Sequence, residues 1–226
     1  MRLRILALLA FALVLAACGG DGDGDGEPDT EAAVTATGVR ENTSSCDVVE
    51  APEPKQDGGQ AKPVGTLDAG KTYRLVVETS CGRFTIELDQ KSAPQATASL
   101  VSLAENGFYD GTTFHRVVPG FVIQGGDPTG TGTGGPGYST VDAPPTGTSY
   151  TLGTVAMAKA GNEPAGTSGS QFFIVTAPDA GLPPDYAVVG TVTEGMETVT
   201  GIESLGAGDG PPSQPVVIEK VSVQES

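Results

Sequence analysis

From about residue 70 onward, the chain consists of short segments in which apolar and polar residues alternate, separated by turn-forming residues. Alternation with a period of two is typical of β-strands that bury one face. The first two segments, 73–79 and 83–88, flank a Ser80-Cys81-Gly82 turn. Further strands are predicted near residues 113–118, 121–124, 154–158, 171–175, 186–193 and 216–223. This many short strands restricts the chain to a mainly β fold.

Two helices interrupt the series of strands. The first is predicted to begin at Ser92-Ala93-Pro94-Gln95, with Ser92 as its cap, and to end at Gly107. The second is predicted within residues 195–204. About 155 residues without an internal repeat make one domain. Antiparallel strands with only two helices predict a closed β-barrel that the helices cap at its ends.

The first residues of the chain are typical of an export signal. Arg2 and Arg4 precede an apolar run from Ile5 to Leu15, which is too short to span a membrane comfortably. We therefore predict a signal peptide over residues 1–17. The Leu-Ala-Ala-Cys sequence that ends at Cys18 resembles a bacterial lipobox, which implies cleavage before Cys18 and its lipidation with fatty acids such as palmitate. The alternative is an ordinary signal peptidase site.

The charge of the chain restricts its partners. The formal net charge is −16, and removal of residues 1–17 takes away two arginines and no acid, which makes it −18. A surface with this much negative charge repels both nucleic acid and anionic lipid. We therefore expect no nucleic-acid partner. Membrane attachment would then depend on the lipid on Cys18. We expect a monomeric lipoprotein on the outer face of the bacterial cytoplasmic membrane.

The region after the predicted signal peptide differs in composition from the rest of the chain. Residues 18–66 are rich in glycine, proline and acidic residues, which cannot form a core, so we predict a flexible tether. The folded domain is predicted to cover residues 67–226. Cys46 and Cys81 are either bonded to each other or free, and an oxidising compartment favours the disulfide.

The chemistry of the domain is concentrated in one stretch, residues 114–127. It contains His115, the single histidine of the chain, together with Arg116 and Gln124. One histidine excludes a metal site built on paired histidines, and the G-x-S-x-G and G-x-x-x-x-G-K-[ST] motifs are absent. A cation and an amide among the phenylalanines at positions 114, 121, 172 and 173 suit an apolar ligand that carries a backbone carbonyl. The alternative is a surface ion pair beside core phenylalanines.

Two motifs in this region resemble those of the cyclophilins, the peptidyl-prolyl cis-trans isomerases. They are Phe-His-Arg followed by Gly-Phe-Val-Ile-Gln-Gly-Gly at residues 114–126, and Ser-Gln-Phe-Phe-Ile at residues 170–174. The resemblance covers about residues 72–223. It implies an eight-stranded barrel with two helices, no metal or cofactor, and proline-containing peptides and unfolded exported proteins as substrates.

The resemblance also assigns roles to individual residues. It implies that Arg116 is the main catalytic residue, assisted by Phe121 and Gln124. The remaining substrate-binding positions would be His115, Val122, Met157, Ala158, Lys159, Gln171, Phe173, Leu182 and Tyr186. Residues 157–159 would pair with the substrate through their backbone, and Phe173 would form the floor of the proline pocket.

Three positions depart from the family pattern. Gly181 replaces a frequent tryptophan, Tyr186 replaces a histidine, and Lys159 replaces an asparagine. We expect the missing indole to weaken the binding of cyclosporin more than it weakens catalysis. Two other functions remain open besides the isomerase: a chaperone that binds proline peptides with little turnover, and a scaffold lipoprotein of the cell envelope.

Overall fold

The computed structural model describes residues 46–226. The predicted signal peptide, the predicted lipidation site at Cys18 and residues 18–45 of the predicted tether lie outside the described residues, so what the sequence indicates for them stays a prediction. Within the described part of the chain, no helix is long and apolar enough to cross a membrane.

The described chain forms eleven strands and two helices. The strands are β1 (Tyr73–Thr79), β2 (Gly82–Leu88), β3 (Thr112–Thr113), β4 (Arg116–Val118), β5 (Val122–Gly125), β6 (Thr140–Val141), β7 (Thr154–Met157), β8 (Thr167–Ser168), β9 (Phe172–Val175), β10 (Val188–Glu194) and β11 (Val217–Glu225). The helices are α1 (Pro94–Glu105) and α2 (Met196–Glu203). Both predicted helices and all the predicted strands but one are present; the strand predicted near residues 113–118 is split into β3 and β4, and the pair β6 and β8 was not predicted.

Nine strands form one strongly curled sheet in the order β3-β11-β1-β2-β10-β7-β9-β5-β4. The fold is therefore mainly β with two helices, as predicted. The expected closed barrel of eight strands needs correction, because the ladder has nine strands and ends at β3 and β4. One isolated antiparallel bridge, between Thr113 and Asp127, joins β3 to the residues just after β5, the strand next to β4.

The break between β3 and β4 lies inside the stretch predicted as one strand. Phe114 and Val117 are both buried in the core, with 1% and 0% of their surface exposed. They are three residues apart, and a continuous strand points such positions to opposite faces. The chain therefore leaves the regular strand geometry at Phe114 and His115, and Arg116 begins a new strand.

Helix α1 is capped by a residue that the local sequence does not reveal. The N-cap position is Ala93, and no side chain of the predicted Ser92 cap bonds the helix. Instead a carboxylate oxygen of Asp142 accepts the backbone N–H groups of Gln95 and Ala96, at 3.0 and 2.7 Å. A carboxylate satisfies free N–H groups at a helix start as a serine would and also complements the helix dipole.

The described part of the predicted tether contacts the domain. Cys46 is bonded to Cys81, and Asp47 donates its N–H to Ser80 at 2.8 Å. Further along, the N–H groups of Lys55 and Gln60 donate to backbone carbonyls in the loop after β5. Composition alone predicted a flexible spacer here, but these backbone hydrogen bonds hold the segment against the domain. Residues 46–62 are called the strap below.

Candidate active site

Five strands place one residue each in a continuous row on the outer face of the sheet. Cross-strand pairing joins the row, in the order Arg116, Gln124, Phe173, Ala156 and Val188. Side chains in such a row lie next to one another across the strands. The row, called the site row below, therefore brings a cation, an amide and an aromatic ring side by side.

The guanidinium of Arg116 is fixed by three neighbours. Its Nε and Nη2 donate to the two carboxylate oxygens of Asp209, at 2.6 and 3.0 Å, and its Nη1 donates to Oε1 of Gln124 at 3.4 Å. The guanidinium carbon also lies 5.9 Å from the centre of the Phe121 ring. The Arg116 side chain is 30% exposed, so the guanidinium is held in place and still accessible.

Asp209 reaches Arg116 from the loop that follows α2. That loop is attached to β4, because the N–H of Val117 donates to the carbonyl of Gly210 at 2.8 Å. The hydrogen bond from Arg116 holds the pKa of Asp209 below its ordinary value, so the carboxylate is charged at neutral pH. The Asp209 side chain is 67% exposed, and such a surface pair orients the arginine more than it stabilises the fold.

The amide of Gln124 belongs to a short series of hydrogen bonds. Its Nε2 donates to Oε1 of Gln171 at 3.0 Å, and Nε2 of Gln171 donates to the carbonyl of Gly134 at 2.9 Å. Each amide therefore has a defined orientation, and Gln124 presents its oxygen to Arg116. The predicted residues Gln124 and Gln171 thus lie together with Arg116.

Next to the arginine, an apolar cluster forms the rest of the site. Phe173 packs edge-on against Tyr186, with ring centres 5.4 Å apart, and Tyr150 contacts both rings. The hydroxyl of Tyr150 donates to the carbonyl of Tyr186 at 2.8 Å and accepts its N–H at 2.9 Å. Partly buried apolar residues surround this cluster, namely Phe121, Ala158, Ala180, Leu182 and Val188, with Val122 buried beneath them.

Lys159 supports the far wall of this cluster. Its side chain is only 2% exposed, and its ammonium lies 2.6 Å from a carboxylate oxygen of Asp185. The same ammonium donates to the carbonyl of Glu163 at 3.1 Å and lies 5.5 Å from the centre of the Tyr186 ring. The lysine that replaces the expected asparagine therefore links the loop after β7 to the segment that presents Tyr186.

Three residues expected near the ligand point into the core instead. Phe114, Phe172 and Met157 are buried in the interior of the sheet. The strand period of two explains the difference between neighbours, because Phe173 faces outward where Phe172 faces inward. The N–H groups of Met157 and Ala158 also donate to Ala187 and Gln171, both at 2.9 Å, so these two groups already have partners within the protein.

His115 lies beside Arg116 but outside the site row. Burial lowers the pKa of His115 below its ordinary value of 6.5, although the charge of Asp127 opposes this shift. Both ring nitrogens are buried and neither makes a hydrogen bond of good geometry within the described residues, although the backbone of Thr113 and the side chain of Gln171 lie close enough to oppose the lowering of the pKa. The imidazole is therefore neutral at physiological pH.

Sequence reasoning missed Asp209, Tyr150 and Asp185. Each reaches the site from a loop or a short bridge, so no periodic pattern marks it. Only Asp185 could have been found from the sequence, because it directly precedes the predicted site residue Tyr186.

A family model for "Cyclophilin type peptidyl-prolyl cis-trans isomerase/CLD" matches residues 74–223. The chain belongs to this family. The match contains the whole site row and Asp209, and it begins after the strap. Cyclophilin-type peptidyl-prolyl isomerase activity is thereby supported by the family and by the names of its relatives.

Several relatives carry the same activity in their names. The chain is 50% identical over 129 residues to peptidyl-prolyl cis-trans isomerase B of Bacillus subtilis, a match that covers 56% of this chain and 87% of the relative. It is 38% identical over 154 residues to a Helicobacter pylori peptidyl-prolyl cis-trans isomerase, covering 66% and 93%. A solved Cryptosporidium parvum cyclophilin has a TM-score of 0.62 at 31% identity, covering 68% of this chain and 98% of that one.

Proposed function

We propose that this enzyme accelerates rotation about X-Pro bonds in exported proteins, and that Arg116 stabilises the twisted amide. The observation that carries the proposal is the site row, in which Arg116 and Gln124 lie beside the aromatic cluster of Phe173. A further solved cyclophilin of Cryptosporidium parvum was determined in the presence of the dipeptide Ala-Pro. Such a ligand combines an apolar ring with a backbone carbonyl, which suits an aromatic cluster beside an amide and a cation.

The chemistry follows from the electronics of the amide. The nitrogen lone pair is delocalised into the carbonyl, which gives the bond a rotational barrier of about 18–20 kcal/mol. In the twisted transition state, the lone pair is localised on the proline nitrogen. A cationic N–H donor aimed at that nitrogen stabilises the transition state more than the planar ground state, which is the condition for catalysis.

Arg116 has donors left for this task. A guanidinium carries five N–H donors and stays protonated at all relevant pH values. Asp209 accepts two of them and Gln124 accepts one. The remaining two, one on Nη1 and one on Nη2, are available to a bound peptide, and Asp209 fixes the plane in which they point.

The apolar cluster accounts for selectivity toward proline. The proline ring would pack against Phe121, Phe173 and Leu182, with Tyr186 closing the far side. Gln124 and the backbone near Lys159 would hold the flanking peptide while one side of the bond rotates. No proton transfer or covalent intermediate enters this mechanism.

The location of the enzyme is part of the proposal. Cleavage before Cys18 and its lipidation would attach the isomerase to the outer face of the cytoplasmic membrane. What supports this is the apolar run that ends in Leu-Ala-Ala-Cys, together with an acidic chain that would not bind anionic lipid by charge.

The decisive test is Arg116→Ala in a protease-coupled isomerisation assay with a proline peptide. We expect kcat/KM to fall by about 10²- to 10³-fold, the usual effect of removing one transition-state donor. Circular dichroism should show an unchanged fold. Arg83→Ala, at an exposed arginine on β2, is the matched control and should keep full activity.

Full activity in Arg116→Ala would refute the proposed mechanism. A natural sequence that binds proline peptides without accelerating their isomerisation would instead indicate a chaperone.

The membrane attachment is tested by Cys18→Ser in bacterial cells. We expect the protein to leave the membrane fraction or to remain unprocessed, because the lipid is its only expected anchor. Fractionation followed by immunoblotting measures both outcomes. Normal processing with retention in the membrane fraction would contradict the lipobox interpretation.

A further inference from the structure

The strap of residues 46–62 lies outside the residues that the family model matches. It is nevertheless attached to the domain at several points. Its first residue is bonded to Cys81 in the turn between β1 and β2. Near its other end, the ammonium of Lys62 donates to the carbonyl of Ser139 at 2.9 Å. The strap therefore runs from the first hairpin to the loop that follows β5.

Lys55 anchors the middle of the strap. Its ammonium donates to three backbone carbonyls just after α1, those of Gly107, Phe108 and Asp110, at 3.2, 2.6 and 2.9 Å. Partial burial lowers the pKa of Lys55, which the charge of Asp110 partly offsets. Three donors meeting three carbonyls satisfy the ammonium fully, so this position is a built contact and not an incidental surface lysine.

Beyond Lys55, the strap pairs with the glycine-rich loop of residues 128–137. A carboxylate oxygen of Asp57 accepts the N–H of Gly135 at 2.8 Å, and the N–H of Gly58 donates to the carbonyl of Gly135 at 2.9 Å. The backbones also approach closely, because a Cβ on Gly137 would lie 3.0 Å from the Cα of Gly58. The strap thus holds this loop through both hydrogen bonds and backbone packing.

The glycine-rich loop needs such support. It contains no strand, and Gly130, Gly132 and Gly137 adopt positive φ angles. Glycine loses more conformational freedom on ordering than other residues, so an unsupported loop of this composition would be poorly ordered. Asp127 supports it from inside by accepting the N–H groups of Thr129 and Gly134, and the strap supports it from outside.

The loop in turn fixes the active site. The carbonyl of Gly134, next to the strap-bonded Gly135, accepts Nε2 of Gln171, and Gln171 accepts Nε2 of Gln124. Gln124 then accepts Nη1 of Arg116. A continuous series of hydrogen bonds therefore leads from Asp57 on the strap to the catalytic guanidinium.

We propose that the strap is a functional part of this isomerase: Asp57 is a positioning residue that orients Gln124 and Arg116 through the glycine-rich loop and Gln171. The proposal goes beyond the isomerase function and depends on it for its activity measurement.

The test compares variants of Asp57 in the full chain with the disulfide intact. Asp57→Ala removes the acceptor for the Gly135 N–H, and we expect kcat/KM to fall by about 2- to 10-fold, the size of coupling between sites that are not in direct contact. Asp57→Asn keeps an oxygen at that position and should restore activity. Glu53→Ala removes the same charge from the strap at an exposed residue and is the matched control.

A double-variant cycle with Gln171→Leu separates positioning from a general loss of stability. If the strap acts through Gln171, Asp57→Ala should lower the activity of the Gln171→Leu protein no further. Additive losses would overturn the proposal. So would equal activity of the Asp57→Ala and Glu53→Ala proteins.

A spectroscopic measurement keeps the test independent of catalysis. The side-chain amide resonances of Gln124 and Gln171 should shift in Asp57→Ala and stay in place in Glu53→Ala and Asp57→Asn. Unchanged resonances in Asp57→Ala would refute the strap's role even if the isomerase function holds. Shifted resonances in a chain without isomerase activity would support the positioning and refute the function.

Discussion

Two neighbouring rows of residues run across the same five strands and have opposite characters. The site row, from Arg116 to Val188, contains charged, amide and aromatic side chains on the outer face. The core row lies one residue away on β4, β5, β9 and β7, and two residues away on β10, where the register shifts. It pairs Val117, Ile123, Ile174, Val155 and Gly190. Every residue of the core row is buried.

This difference shows how closely the site depends on strand register. Because successive residues point to opposite faces, a slip of one residue would exchange the two rows and bury Arg116 in the core. Such a slip is energetically unfavourable, because the slip would expose the four apolar side chains of the core row to solvent. The core row therefore fixes the position of the site row, and the two can be separated by mutation.

The largest expected effect is on stability and comes from the core row. Ile174→Ala should lower the free energy of unfolding by about 2–5 kcal/mol, because it removes a fully buried side chain and leaves a cavity. Ile174→Val should cost only about 0.5–1.5 kcal/mol. Urea denaturation measures both. The folded fraction of each protein should retain its activity, and a selective loss of activity at unchanged stability would contradict the separation of the rows.

A comparable effect concerns the rim beside the site row. Gly181 lacks the indole that the cyclophilin resemblance implies for cyclosporin binding, so we expect an active enzyme that cyclosporin inhibits weakly. The loss of an aromatic contact and a hydrogen bond corresponds to about 30- to 1000-fold in affinity. An inhibition titration of the natural sequence and of Gly181→Trp under one assay measures the difference.

The backbone at this position calls for a control. Gly181 has a φ of +63°, with no atom within 4 Å of an added Cβ, so a tryptophan has room but its backbone is strained. Such strain costs roughly 1–2 kcal/mol. Gly181→Ala reports that cost without the indole. Tight inhibition of the natural sequence would show that another side chain replaces the indole.

The smallest expected effect is a pH dependence from His115, which belongs to neither row. Its pKa is lowered in the folded state, so the unfolded chain takes up the proton first as the pH falls below 6.5. Stability should therefore decrease as the pH falls from 6.5 toward the folded-state pKa, with a slope of at most about 1.4 kcal/mol per pH unit.

The chain has one histidine, so this window belongs to His115. Urea denaturation at pH 7.5 and 5.5 should show the decrease in the natural sequence, and His115→Gln should abolish it. A pH dependence that persists in His115→Gln would assign the effect to other groups.

The sequence predicts those parts of the fold that depend on the periodic spacing of apolar residues or on a turn-forming residue. The alternation around Arg116 and Gln124 predicted the strands that carry the site row, and Gly107 marked the end of the first helix. The inward direction of Phe172 follows from the same alternation, once Phe173 is placed on the outer face.

What the sequence could not predict depends on contacts between distant residues. Asp209 pairs with Arg116 across 93 positions, and Asp142 caps α1 across 47 positions. Neither contact leaves a pattern in the local sequence, because a loop carboxylate that binds a partner looks the same in the sequence as one that faces only solvent. The strap was missed for the same reason: its glycines and acidic residues are typical of a spacer until the loop that they contact is known.

The pairing of β1 with β11 has a consequence for how the molecule is made. Tyr73 pairs with Glu225, and β11 lies between β1 and β3 in the sheet. As the chain is synthesised, β1 and β2 can form a hairpin early, but the other edge of β1 stays open until residues 217–225 have been added. Seven neighbouring strands of the nine, from β1 to β4 in the sheet order, precede β11 in the chain, so this edge of β1 stays open to pairing with other extended chains until β11 has been made.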